Sequence, residues 1–135
     1  MREVSVSRFV RATTAQVERV LSPAALVEYE GSFSAKEAIE LDDGVRVVAA
    51  ASGLEMGLFF EKRENGYFYE QEGDAGPFDH METTVSYEPE NEGVRIKMSS
   101  RVTLGLFPRP LTDRVAAWKR EAELERALDA IEEAL

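Results

Sequence analysis

VRIKMSSRVTL at 94–104, followed after a short Gly- and Pro-punctuated connector by LTDRVAAWKREAELERALDAIEEAL at 111–135, is the stretch that decides the fold. In the first segment Val94, Ile96, Met98, Val102 and Leu104 share a face with Ser100. Arg95, Lys97, Ser99, Arg101 and Thr103 share the other. That period of two is an antiparallel strand with one dry and one wet side. In the second segment the spacing changes to three and four. It carries Leu111, Val115, Trp118 and Ala122, then Leu124, Leu128, Ile131 and Leu135, with Glu121, Glu123, Glu125, Arg126, Glu132 and Glu133 assigned to solvent. A half-dry sheet followed by one long helix must bury the dry face against that helix. A curved sheet closed by a single helix tends to leave an interior space, and function is sought there.

Working outward, Arg2 to Arg11 alternates as a first strand through Val4, Val6 and Val10. Thr13 with Gln16 three residues on reads as a capping box opening a short helix whose buried side is Val17, Val20 and Leu21. Ser22-Pro23 opens a second, with Leu26 and Val27 inward and Gly31 as its stop. From Phe33 the period becomes two, with Phe33, Ala35, Ile39 and Leu41 on one side of a strand that ends at Asp42-Asp43-Gly44. Strands follow at 45–51, 54–64, 67–72, 80–88 and 94–104, and Asn65-Gly66 is the strongest hairpin signal. Gly73-Asp74-Ala75-Gly76-Pro77 is the loosest connection and reads as a mobile lip.

Composition narrows the function. A chain of 135 residues makes one domain, here 1–135, with enough core to stand without staples. Absent cysteine excludes disulfides, thiol nucleophiles and thiolate metal sites. Sixteen basic against 26 acidic residues, net −10, disfavour nucleic acid and anionic lipid surfaces. No signal peptide or membrane-spanning run is read, so a cytoplasmic protein without membrane insertion, a monomer or weak homodimer, is expected. Only Lys36, Lys62, Lys97 and Lys119 are lysines. Strong acidity with few lysines is the solubility habit of salt-adapted, halophilic proteins. No phosphate loop, nucleophile elbow or zinc-binding H-E-x-x-H occurs, and neither metal nor cofactor is expected.

A strand, two short helices, a meander and a long closing helix is the helix-grip order of the START-like, Bet v 1-like (SRPBCC) superfamily. Val4-Ser5-Val6-Ser7-Arg8-Phe9-Val10, then 13–21, resembles the opening of its polyketide cyclase/dehydrase-type branch, and Trp118 to Leu128 is similar to that branch's final helix. The family's frequent tryptophan in the second helix is replaced here by the Val27-Glu28-Tyr29 phrase. The resemblance implies an α+β helix-grip fold with a seven-stranded curved antiparallel sheet, and a cavity between sheet and C-terminal helix. It transfers no catalytic residue.

The expected cavity walls are Val47, Ala49, Met56, Leu58, Phe60 and Val85, with Tyr67 and Tyr69. Ile96, Met98 and Val102 continue them, and Trp118 is expected overhead. Such walls suit a hydrophobic or aromatic small molecule, lipid-, polyketide- or quinone-like, held mainly by burial. Arg8, beside Val6 and Val10, and Glu37, between Ala35 and Ile39, are charged residues at inward positions, where each would need a partner or a polar ligand group. A non-catalytic carrier or sensor is the first expectation. A cyclase- or dehydratase-type enzyme using Arg8, Glu37 and Tyr67 or Tyr69 is the second. A partner-binding module using Leu106-Phe107 is the third. His80, the single histidine, shares a face with Glu82 and Thr84 and reads as solvent-facing.

Overall fold

Local signals place most element boundaries. Thr13 Oγ1 accepts from the Gln16 amide at 3.1 Å while Gln16 Oε1 accepts from the Thr13 amide at 2.9 Å, so the capping box opens α1, Thr14–Val20. Ser22 Oγ accepts from the Ala25 amide at 3.1 Å and Pro23 takes the first helical position of α2, Pro23–Glu30. Gly31 then leaves the helix at φ +82°, a left-handed conformation that glycine adopts without steric cost.

In the computed structural model, which describes residues 1–73, 76–106 and 108–135, these helices sit between a first strand and a six-strand meander. The strands are β1 Arg2–Val10, β2 Ser34–Leu41, β3 Gly44–Ala51, β4 Leu54–Arg63, β5 Gly66–Glu72, β6 His80–Glu90 and β7 Gly93–Thr103. All pair antiparallel in the order β1-β7-β6-β5-β4-β3-β2. The Asn65-Gly66 turn leads into β5, where a Cβ on Gly66 would stand 1.8 Å from the Val85 carbonyl oxygen. Only glycine fits that approach. The final helix α3, Arg109–Ala134, packs on β1 and β7 with α2 alongside.

The seven-stranded α+β architecture agrees with the sequence reading, and β7 keeps its alternation of buried and exposed residues. Two patterns depart from it. An irregularity between Ala35 and Glu37 shifts the register of β2, so that Glu37 stands opposite Val48 and Ile39 opposite Arg46, on the outer face. An extra residue flips everything beyond it to the other side. Glu37 is therefore exposed and faces away from the interior.

The second departure is the phase of α3. Leu124, Ala127, Leu128 and Ile131 are buried as expected, but toward the N-terminus that same stripe continues through Glu123, Arg120, Ala117, Ala116 and Asp113. Leu111, Val115 and Trp118 are exposed, Trp118 at 75%. From Ala122 to Leu124 is two residues, about 200° of helical rotation, so the two apolar stripes lie on opposite sides. Trp118 is thus outside the molecule, not over a cavity. Trp118→Ala is expected to change stability by less than about 0.5 kcal/mol. As this is the chain's single tryptophan, its emission should be that of a hydrated indole open to iodide quenching. A blue-shifted, unquenchable spectrum would contradict the placement.

Asp113 illustrates the corrected phase. Its carboxylate accepts from Thr103 Oγ1 at 2.6 Å, the Leu104 amide at 3.2 Å and the Met1 ammonium at 2.9 Å. The Thr103 hydroxyl first, then the ammonium, hold its pKa down from 3.8 to about 2. A depressed carboxylate stabilises the fold fully above its unfolded pKa, so this contribution should drain away between about pH 4 and pH 2. Thr103→Val should move the titration of the Asp113 side-chain carboxyl carbon, followed by NMR, up toward its ordinary value. An unmoved midpoint would mean the hydroxyl is not the main cause.

Candidate functional site

Inward-facing polar residues line up across the middle of the sheet. Tyr69 on β5 stands opposite Thr83 on β6, which stands opposite Ser100 on β7. A row of hydroxyls on a dry face needs partners, because unpaired buried polar groups are costly. The partner is Arg120, 1% exposed, which α3 delivers on its buried stripe. Its Nε donates to Ser100 Oγ at 3.0 Å, and its Nη2 donates to Thr83 Oγ1 at 2.8 Å and Tyr69 OH at 3.2 Å. The fork is closed by Glu30, from the last turn of α2, which accepts from Nη1 at 2.6 Å and Nη2 at 3.0 Å. Glu123, one turn on from Arg120, accepts from Nη1 at 3.2 Å. The Tyr69 hydroxyl donates to Glu30, and the Ser32 hydroxyl donates to Glu123.

Burial and the Glu30 charge push the Tyr69 hydroxyl pKa well above its ordinary value. Burial alone would lower that of Arg120, but the charge of Glu30, joined by Tyr69 and Glu123, outweighs it and the guanidinium is held in its charged form. Arg120 is thus a fixed cation in a dry interior, with two carboxylates around it.

Beside this cluster lies a cavity of about 10 Å³, lined by Val27, Phe33, Met56, Leu58, Phe78 and Met81, with Pro77 at its edge and Glu30, Arg120 and Glu123 forming its polar end. That is room for roughly one water. Phe78 is 4% exposed, and its carbonyl accepts from Gln71 Nε2 at 2.6 Å, with the Gly73 carbonyl at 3.4 Å from the same nitrogen. Gln71 thereby ties both ends of the connection between β5 and β6. The lip expected at 73–77 falls partly outside the described residues.

The expected site residues divide. Val47, Ala49, Phe60, Val85, Ile96, Met98 and Val102 are buried in close-packed core, and only Met56 and Leu58 of the expected walls line the cavity. Tyr69 is fully interior, while Tyr67 is half-buried and edge-on to Phe60 at 6.3 Å. Arg8 and Glu37 do not converge. Arg8 does lie on the helix side of β1, and it finds the partners such a position demands in Asp129 at 2.6 Å, Glu132 at 3.2 Å and Glu125 at 3.3 Å, all on α3. His80 points to the outer side and pairs with Glu82 at 3.4 Å. Leu106 is exposed, and Phe107 falls outside the described residues.

Arg120, Glu30 and Glu123 were not foreseen. Their signals were present. Glu30 follows Leu26 and Val27 by four and three residues, and Arg120 precedes Leu124 by four, so both extend a buried stripe. Ser100, assigned to the dry face, was itself a sign that a polar partner had to arrive from the helix.

No protein-family model and no curated protein matches the sequence. Solved structures do match in fold. A protein from Thermus thermophilus superposes with a TM-score of 0.75 at 22% identity, covering 98% of this chain and 96% of that one. A START superfamily protein from Mycobacterium smegmatis gives 0.67 at 19%, over 97% of each chain. Ara h 8.0201 gives 0.62 at 13%, over 96% and 97%. The chain has the helix-grip fold. In this helix grip the space beneath the closing helix holds the Arg120 cluster, and Ala116, Ala117 and Ala127, all buried, let α3 approach the sheet closely. Among the described residues no helix is long and apolar enough to cross a membrane.

Proposed function

We propose that the protein is a non-catalytic carrier or sensor that binds a hydrophobic or aromatic small molecule between α2, β4, the 76–78 segment and α3. The observation that carries this reading is the cavity whose apolar walls, Val27, Phe33, Met56, Leu58, Phe78 and Met81, end on a buried charged cluster. A few fixed polar groups at one end of an apolar pocket are the usual composition of a small-molecule site. Its present volume means that binding displaces the side chains of Pro77 and Phe78, while the Phe78 carbonyl stays on Gln71 Nε2. Lipid-, polyketide- and quinone-like molecules all suit the walls. The reading takes residues 1–135 as one ligand-binding domain working in the cytoplasm as a monomer or weak homodimer.

The cyclase-type alternative fares less well. Tyr69 has its proton held by Glu30 and its pKa pushed up, and Arg120 is locked by six hydrogen bonds. A general acid or base works best with a pKa near the operating pH, and this cluster is arranged to hold its charges still.

Native mass spectrometry of protein purified gently from its host should show a retained small-molecule adduct, lost in Met81→Phe, whose modestly larger side chain takes up the remaining space. A bare protein that also gains no thermal stability from apolar aromatic compounds would overturn the reading.

A further inference from the structure

We infer that the ligand presents a hydrogen-bond-donating head, an ammonium first and a hydroxyl second, on an apolar body, and that the site refuses carboxylates. This rests on the binding reading above and follows from which hydrogen-bonding valences the cluster leaves open.

A guanidinium has five N–H donors and no acceptor. In Arg120 all are spent: Nε on Ser100, Nη1 on Glu30 and Glu123, Nη2 on Thr83 and on Glu30 with Tyr69. The remaining donors are spent as well. Tyr69 donates to Glu30, Ser32 to Glu123, Ser100 to the Glu82 carbonyl at 3.1 Å, and Thr83 to Ser100 Oγ at 2.9 Å or Met81 Sδ at 3.2 Å. Both contacts of Gln71 Nε2 are carbonyls, which fixes the orientation of that amide.

What stays open is acceptor capacity. Each oxygen of Glu123 has a single short partner, although a carboxylate offers about four lone-pair sites. Gln71 Oε1 is buried and finds no partner among the described residues. Gly76 packs against it, since a Cβ there would meet this oxygen at 2.2 Å and Met56 Sδ, an atom of a cavity-wall residue, at 2.6 Å. A head that donates completes Glu123, the open acceptor that lines the cavity. A carboxylate would bring a third set of acceptors beside Glu30 and Glu123 and meet no free donor.

Two cations stand on the outer side. Lys119 Nζ is 3.9 Å from Glu123 Oε2 but half exposed. Exposed Arg126 spends its Nε on the Glu30 carbonyl and Nη2 on Ser32 Oγ. Solvent screens both, so neither offers an anion inside the cavity what Arg120 withholds.

The test uses tryptamine, tryptophol and indole-3-propionate, which share an indole body and differ in head group, titrated into the full chain. The readout is the 13C-methyl signals of Met56 and Met81, with Met98 as the internal control. Tryptamine should bind about tenfold tighter than the acid, the scale of one charge-assisted hydrogen bond, with tryptophol between. Glu123→Gln should bring amine and acid within about twofold of each other. If the acid binds as tightly as the amine, this inference fails and the binding reading stands. If none of the three moves Met56 or Met81, the binding reading fails and takes this one with it.

Discussion

Arg120→Met is expected to cost about 3–5 kcal/mol, because removing one member of a buried ion cluster strands its counter-charges in a dry interior. Glu30 and Glu123 would lose their shared cation, and Tyr69, Thr83 and Ser100 would lose a common donor. Replacing the whole charged core is a different matter. Exchanging a buried ion triad for apolar residues of similar volume is often neutral or stabilising, so Arg120→Met combined with Glu30→Leu and Glu123→Leu should recover most of the loss. Equilibrium denaturation with an unchanged m-value checks both variants. A single substitution costing less than about 1 kcal/mol would mean that water reaches the guanidinium and the cluster is not dry.

Phe60→Ala carries the second large effect, also about 3–5 kcal/mol, for a different reason. Phe60 is 1% exposed, stacks on Tyr69 with ring centroids 4.4 Å apart, and takes the edge of Tyr67 at 6.3 Å. Truncation removes buried apolar area, leaves a hole that close-packed neighbours fill only in part, and frees the ring that holds the Tyr69 hydroxyl in the Arg120 cluster. Phe60→Leu, which keeps most of the volume, should cost under about 1.5 kcal/mol. Denaturant unfolding of the pair separates the two outcomes. Equal losses for alanine and leucine would point to the aromatic contact rather than the hole as the main source.

The fold was legible because its signals are local. Thr13 with Gln16, Ser22 with Pro23, and Asn65 with Gly66 each specify a boundary through bonds or contacts within a few residues. Alternation along β7 needs no knowledge of what lies beside it. The site was less legible, because its members come from α2, three strands and α3, and among the decisive charges only Arg120 and Glu123, three apart on one helix, stand at a recognisable spacing. Hydrophobicity also pointed the wrong way on α3, where Leu111, Val115 and Trp118 form a better apolar stripe than Asp113, Ala117 and Arg120, yet the second is the one buried. The C-terminal half of the helix settles the phase, since Leu124, Leu128 and Ile131 allow only one continuation backward at 3.6 residues per turn. Glu37 failed for a narrower reason: one extra residue after Ala35 inverts the side on which every later member of β2 falls.

That same irregularity has a consequence beyond placing Glu37. β2 ends the strand order, so one of its flanks has no neighbour in the sheet. A straight, uncharged border there would invite another molecule to dock edge to edge and begin a filament. Lys36, Glu37 and Glu40 are all exposed along β2, and the register slip beside them breaks the regular ladder that an incoming chain would need. That border is thereby a poor template for edge-to-edge growth.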